Sequence, residues 1–218
     1  MSGALQAVYQ NLRSFGEAAP TVIGQAFGGG FYAGQIGVSS VATHYLVVGP
    51  KSTAQAGGGG LAWKNANTAT PGADSDINGP QNTADMVADG NSTVYPCAHF
   101  CNDLSTGGQT DWYMPARNEL EVCYYNLKPT TTSNNTGYGI NANAVPARTS
   151  NYTSGTPAQT SATAFQTGNA EAFDSNAYWT STEGSSTNAW RDYFNNGYKY
   201  SGTKTIVFRV RAIRRVAV

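Results

Sequence analysis

The tightest set of side chains able to do chemistry is Cys97-x-His99-x-Cys101, a thiol–imidazole–thiol run of the sort that ligates zinc. Zinc takes four convergent ligands, and only His44 and Cys123 remain to complete the set. Free cysteine otherwise behaves as a small apolar residue, so three buried thiols and no metal are expected. Catalysis finds as little support. The chain has no Gly-x-Ser-x-Gly and no His-Glu-x-x-His, and His44 and His99 are its two imidazole bases. Glu119 and Glu121 leave a predicted helix on different sides and read as solvated. The Gly57–Gly60 run precedes no Lys-Ser or Lys-Thr pair and opens no helix, which makes it a turned loop and no phosphate cradle. No enzymatic activity and no cofactor are expected.

The chain does offer recognition chemistry. Its last part carries Ser186, Thr187, Arg191, Tyr193, Asn195, Tyr198, Tyr200, Ser201 and Thr203 within a Tyr-, Asn-, Ser- and Gly-rich stretch. Binding loops favour these residues, because Tyr gives a large contact area at low entropic cost. Strand alternation sets Trp190, Asp192 and Phe194 on one face and Arg191, Tyr193 and Asn195 on the other. Asn196-Gly197 is a strong hairpin signal. Beyond it, Tyr198 and Tyr200 share a face, with Lys199 and Ser201 opposite. The expectation is a core formed by Trp190 and Phe194, with Arg191, Tyr193, Asn195, Tyr198 and Tyr200 exposed for ligand binding.

The elements that must position these residues follow from composition and spacing. Only 12% of the 218 residues are charged, about half the usual share of about 25%, which argues against a coiled coil or long-helix protein. Thirteen Tyr, 8 Phe and 4 Trp supply a core. No run approaches the roughly 18 apolar residues of a membrane span. The opening MSGALQAVYQNLRSFGEAAP has neither the basic nor the apolar region of a secretion signal. Net charge is zero, yet residues 189–218 carry +6 against −6 in the rest. Those cations fall within an alternating strand pattern, so they read as a polar strand face and not as a nucleic-acid footprint.

Leu5, Val8, Leu12 and Phe15 form an amphipathic stripe, so residues 1–20 are expected to be a short helical segment for assembly or docking. The ligand-binding domain then runs over 21–218. GGGFYAGQIGV and THYLVVGPK read as strands, with Tyr45–Val48 buried. Pro96 and Pro115 each open a helix, the second with Leu120, Cys123, Tyr124 and Leu127 on one face. Residues 129–170 are a long polar loop, partly packed through its Phe and Tyr residues. Thr180-Ser181-Thr182-Glu183 has capping-box form but precedes no helical pattern, so a turn is expected there. IVFRVRAIRRV reads as one final strand. Its Ile206, Phe208, Val210 and Ala212 are expected opposite Val207, Arg209, Arg211 and Ile213.

Two blocks resemble a known family. GGQTDWYMPARNELEVCYYNL is similar to the Gly-Gly…Asp-Trp-Tyr-Leu-Pro…Glu-Leu helix segment of the C-type-lectin-like family typified by the C-terminal domain of the Legionella collagen-like adhesin. YWTSTEGSSTNAWRDYFNNGYKYSGTKTIVFRVRAIRRV resembles the ending of that family, shared with retroelement-diversified proteins such as the phage major tropism determinant. The likeness extends more weakly over roughly residues 25–216, and the opening segment is similar to the start of phage tail-fibre and other virion proteins. The resemblance implies an α+β, C-type-lectin-like fold of short antiparallel strands, two helices and long irregular loops.

The resemblance further implies a phage tail-fibre tip or adhesin, located in the virion. It would bind a host cell-surface receptor, protein or glycan, contact other tail proteins and assemble as a homotrimer. A structural tail or baseplate component, or a bacterial surface adhesin, are the alternatives. Formylglycine-generating enzymes share the scaffold and use late cysteines, and none follows Cys123 here. Calcium-dependent lectins use Glu-Pro-Asn or Gln-Pro-Asp with Trp-Asn-Asp. Neither tripeptide is present, and Trp190-Arg191-Asp192 sets a cation where an Asn ligand would stand. In diversified relatives the scaffold positions would be Trp179, Trp190, Phe194, Gly197, Val210 and Arg211. The nine binding residues and Thr205 would vary between them, although composition alone is no sign of such a mechanism.

Overall fold

Short aromatic and β-branched runs separated by glycines give an antiparallel hairpin of β2 (Gly30–Val38) and β3 (Val41–Val48). The computed structural model describes residues 17–218, so the expected stripe of Leu5, Val8, Leu12 and Phe15 lies outside the described residues. β1 (Ala26–Phe27) and β9 (Ile213–Ala217) flank the hairpin, giving an antiparallel sheet in the order β1-β2-β3-β9. Two smaller sheets complete the strand inventory. One pairs β4 (Leu61–Ala62) with β8 (Val207–Phe208); the other runs β5 (Ala177–Glu183), β6 (Asn188–Tyr193), β7 (Lys199–Thr203).

Four helices lie among the described residues: α1 (Lys51–Ala54), α2 (Gly79–Asp89), α3 (Pro96–Asn102) and α4 (Arg117–Leu127). The α+β arrangement of short antiparallel strands, helices and long loops is the one expected. α3 begins at its proline, where the missing N–H costs nothing. α4 is started by Glu119, whose carboxylate accepts the Ala116 N–H at 2.8 Å. Its Leu120, Cys123, Tyr124 and Leu127 join Ala33, Ile36, Leu46 and Val48 in one apolar core. Val47, pointing the other way from β3, joins a second core with Phe27, Trp63, Tyr95, Trp112 and Trp179. The first sheet is therefore the wall between the two.

Four expectations are corrected. Helix α2 was not foreseen, because its buried face is partly polar. Asn82 and Thr83 are buried there, bonding Ser75, Ser181, Gly79 and Met114, so no apolar period marks the helix. The final strand is two strands in different sheets. Between β8 and β9 the Arg211 side chain turns inward, donating to the Gly49 carbonyl at 3.0 Å and the Glu171 carboxylate at 2.6 Å. Ile206 and Val207 are left exposed by that path. Thr180–Glu183 is strand, not turn, and Thr182 accepts the Arg117 N–H while donating to the Ser75 carbonyl.

Glu119 and Glu121, expected in solvent, are fully buried. Glu119 takes the Tyr113 hydroxyl and Arg215 Nε, each at 2.6 Å, and Glu121 is paired with Arg148, Asn141 and Tyr152. The long loop after α4 does pack as expected: Tyr152 and Phe165 both sit in the core that α4 lines.

Candidate functional site

Hairpin β6–β7 carries the candidate residues, with register pairs Arg191↔Tyr200 and Asp192↔Lys199. The strands are joined by Phe194, Asn195, Asn196, Gly197 and Tyr198, a five-residue connection in place of a two-residue Asn-Gly turn. The Tyr193 N–H donates to the Tyr198 carbonyl and the Gly197 N–H to the Tyr193 carbonyl, each at 2.8 Å. Gly197 has φ 71°, a left-handed conformation that glycine adopts without strain. Phe194 anchors the loop by stacking on Phe173 at 4.0 Å between centroids. From the long loop, Thr130 Oγ1 donates to the Asn195 carbonyl and the Asn135 N–H to the Asn196 carbonyl, at 2.8 Å each. The hairpin tip is thus held at a fixed place on the molecule.

Pairing across the hairpin places Tyr193, Tyr198, Tyr200 and Arg191 on one side, and Trp190, Ser201 and Thr203 on the other. The candidate residues therefore divide between two faces, with Asn195 in the loop. Tyr198 stacks near Tyr200 with centroids 6.3 Å apart and lies 5.8 Å from Tyr193 and 5.4 Å from Tyr138. Tyr200 is 47% exposed, while Tyr193, Asn195 and Tyr198 are half-buried. Burial and the neighbouring Tyr198 push the Tyr138 hydroxyl pKa up.

Two expectations fail here. Arg191 was expected in solvent and is 7% exposed. Its guanidinium lies 4.0 Å from the Phe208 centroid and 4.9 Å from that of Tyr200, and reaches Trp179 and Tyr193 within 6 Å. The cause is Gly202, beside which the guanidinium lies: a Cβ there would meet Arg191 Nη1 at 2.6 Å. Trp190, expected in the core, is half-buried and is covered by the Arg117 guanidinium at 4.0 Å. Phe194 is buried as expected, and Trp179, Gly197 and Val210 are buried with it, whereas Arg211, Lys199 and Lys204, read as part of a polar strand face, are buried through pairing with Glu171, Asp192 and Glu183.

Ser186 and Thr187 are exposed in the β5–β6 connection. That connection is pinned by Lys204, whose buried ammonium donates to the Thr68 carbonyl at 2.7 Å, the Ser186 carbonyl at 3.0 Å and the Glu183 carboxylate. Burial lowers the Lys204 pKa, opposed by Glu183. At the other end Asp192 is buried 3.7 Å from Lys199, and burial raises its pKa to about 6 although Lys199 opposes the shift. The sequence reading missed Tyr138, Phe208 and Arg117 as parts of this region. Tyr138 and Arg117 come from distant segments, and Phe208 returns to the hairpin from β8 in another sheet, so no local pattern joins them.

Elsewhere, a groove of about 600 Å3 is lined by His44, Thr83, Trp112, Tyr113, Asp111 and Arg215 among others, and holds none of the candidate residues. Its charges are satisfied internally, Arg215 by Glu119 and Asp111 by Arg214. Among the described residues no cluster of His, Cys, Asp and Glu is placed to hold a metal ion. Cys97 and Cys101 are buried, with their thiol pKa values pushed up by burial, and His99 turns its Nε2 to the Gly90 carbonyl at 2.8 Å. The tyrosine side of hairpin β6–β7 is an aromatic, hydroxyl-bearing surface. No helix among the described residues is long and apolar enough to cross a membrane.

A family model described as the Lcl C-terminal domain matches residues 53–214, which include α2–α4, the β5–β6–β7 sheet and every candidate residue. No curated protein matches the chain.

Proposed function

The chain belongs to the Lcl C-terminal domain family, an adhesin-type domain, and from that premise we propose that it is a phage tail-fibre tip that binds a host-surface receptor through hairpin β6–β7. The observation that carries this reading is the tyrosine strip Tyr193, Tyr198 and Tyr200 on an immobilised hairpin. Rigid aromatic anchors lose little entropy on binding, and Tyr and Arg are the residues that dominate interface energetics. The phage assignment rests on the likeness of the opening segment to virion proteins and of the ending to retroelement-diversified proteins. A binding role without catalysis, a place in the virion beside other tail proteins, and no nucleic acid or membrane insertion belong to the same proposal. The burial of Arg191 sits poorly with its being a freely varied position, which favours a fixed adhesin.

Alanine at Tyr193, Tyr198 and Tyr200 together should leave the fold intact and abolish adsorption to host cells; unchanged adsorption would remove the hairpin from the site. The family match favours a second reading, a bacterial surface adhesin, and detection of the protein on cells and not in virions would select it. We also propose a homotrimer assembled through residues 1–20, whose apolar stripe needs a partner surface. Light scattering should give three times the monomer mass for the full chain and the monomer mass without those residues. A monomer in both would exclude it.

A further inference from the structure

Strand β9 pairs fully on one side and barely on the other. On its inner side it runs along β3, from Val48↔Ile213 to His44↔Ala217. On its outer side the Tyr113 N–H donates to the Ile213 carbonyl at 2.9 Å and the Ile213 N–H to the Tyr113 carbonyl at 3.0 Å. Main-chain groups alternate in direction along a strand, so the N–H and C=O of Arg215 and Ala217 point the same way as those of Ile213. The Val218 N–H, one residue on, returns to the Thr43 carbonyl of β3, as that alternation requires. Among the described residues, Arg215 and Ala217 make no backbone bond on the outer side. A ladder begun by one residue pair stops there. No proline or bulge blunts the edge, and both arginines of β9 are turned to partners, Arg214 to Asp111 and Arg215 to Glu119.

The groove of about 600 Å3 lies beside this edge. It is lined by Arg215 and Ala217, by Trp112 and Tyr113 and, from α2, by Pro80 and Thr83, and its volume falls in the roughly 300–1,000 Å3 range of ligand sites. Backbone donors and acceptors that recur every second residue, about 6.8 Å apart, match the backbone of another extended chain. A sugar or a small ion presents no such repeat. The charges of the groove are neutralised from within, Arg215 by Glu119 and Asp111 by two bonds from Arg214 at 2.6 and 2.8 Å. Burial, with Arg215 beside it, lowers the His44 pKa, so that imidazole is neutral near pH 7. A charged side chain entering the groove would lose its hydration and gain no counter-charge. We propose that the groove takes an extended, uncharged segment of a partner protein, which pairs its backbone with Arg215 and Ala217 and adds a strand beyond β9. Affinity then comes from main-chain bonds, and specificity from the alternate side chains that meet the groove walls. The site shares no residue with hairpin β6–β7 and does not rest on the receptor reading.

The probe is a random peptide library displayed on yeast and panned against the purified full chain. Selected peptides should be uncharged and rich in β-branched residues. A bound peptide should slow amide exchange at Arg215 and Ala217 by about tenfold or more, and leave Arg214 and Val216, which face β3, as they were. A217P removes one outward N–H at an edge position where proline leaves the β3 ladder intact, and should abolish binding. Circular dichroism reports its fold. Methylating the backbone nitrogens of a selected peptide one at a time should cost binding at alternate residues only, a readout that needs no variant of the protein. Charged peptides, losses spread evenly over the methylation series, native binding by folded A217P, or no selected peptide at all would overturn the proposal. So would Arg215 and Ala217 amides already protected without peptide. Protection that grows with protein concentration would assign the edge to a second copy, and protection independent of concentration to residues 1–16 of this chain.

Discussion

Two neighbouring residues on β6 show how one strand handles buried charge in opposite ways. Arg191 faces aromatic rings without an anion, whereas Asp192 is buried on the other face with Lys199 3.7 Å away. Desolvation raises the Asp192 pKa to about 6, Lys199 and Arg117 oppose that rise, and Glu121 adds to it. The folded chain therefore holds the Asp192 proton more tightly than the unfolded chain, whose carboxyl titrates near 3.9. The stabilising contribution of that proton is complete below about pH 4 and is lost as pH rises to about 6. In a carbon-13 titration the Asp192 carboxyl should show a midpoint near 6, followed by the amide signals of Tyr193 and Lys199. The native chain should lose stability relative to D192N on going from about pH 4 to about pH 6, by roughly 2 kcal/mol. A midpoint near the free-carboxyl value, or parallel pH profiles for the two proteins, would show that Asp192 is better solvated than its burial implies.

Among elements, hairpin β6–β7 is the one on which the proposed function depends, and its tip turns at Gly197. At Gly197 a Cβ would add a left-handed strain at φ 71° and run into the rings of Tyr124 and Tyr152. G197A should cost about 1–3 kcal/mol. The loss should register locally, as faster amide exchange at Tyr193 and Gly197, whose N–H groups close the loop. Exchange unchanged at both positions would mean that the tip is held by Phe194 and by the bonds from Thr130 and Asn135 without Gly197.

The hairpin was legible in the sequence because alternation and Asn-Gly are local signals, and β2, β3, α3 and α4 were legible for the same reason. Helix α2 was not, since Asn82 and Thr83 bury polar atoms where the apolar period should run. The break between β8 and β9 was hidden as well, because Arg211 turns inward to partners at Gly49 and Glu171. Alternation also could not show that Gly202 opens room for Arg191, so the side of the strand was read correctly and its burial was not. Within the candidate site the tyrosines were found by composition. Tyr138, Phe208 and Arg117 are joined to them only by the fold.

Across the whole molecule, the sheet β1-β2-β3-β9 decides whether the described residues behave as one unit or two. Leu46 and Val48 face the core of α4, while Val47 between them faces the core of Trp63, Trp112 and Trp179. Strand β9 ties the chain end to β3 by the pairs Val48↔Ile213 to His44↔Ala217, and Ile213 also exchanges backbone bonds with Tyr113. Neither core can dissolve without exposing one face of a strand the other core still needs, so both should melt together. L46A tests this in a W190F background, since Trp190 lies outside both cores against Arg117. It opens a cavity in the core that contains none of Trp63, Trp112 and Trp179, and should cost about 2–5 kcal/mol. If the cores are coupled, tryptophan fluorescence from the opposite side of the sheet should shift its urea midpoint by the same amount as far-ultraviolet circular dichroism, with the slope unchanged. A fluorescence midpoint that stays at the native value while the dichroism transition moves or splits would mean that the two cores unfold separately, and that the sheet is a boundary between units and not a shared wall.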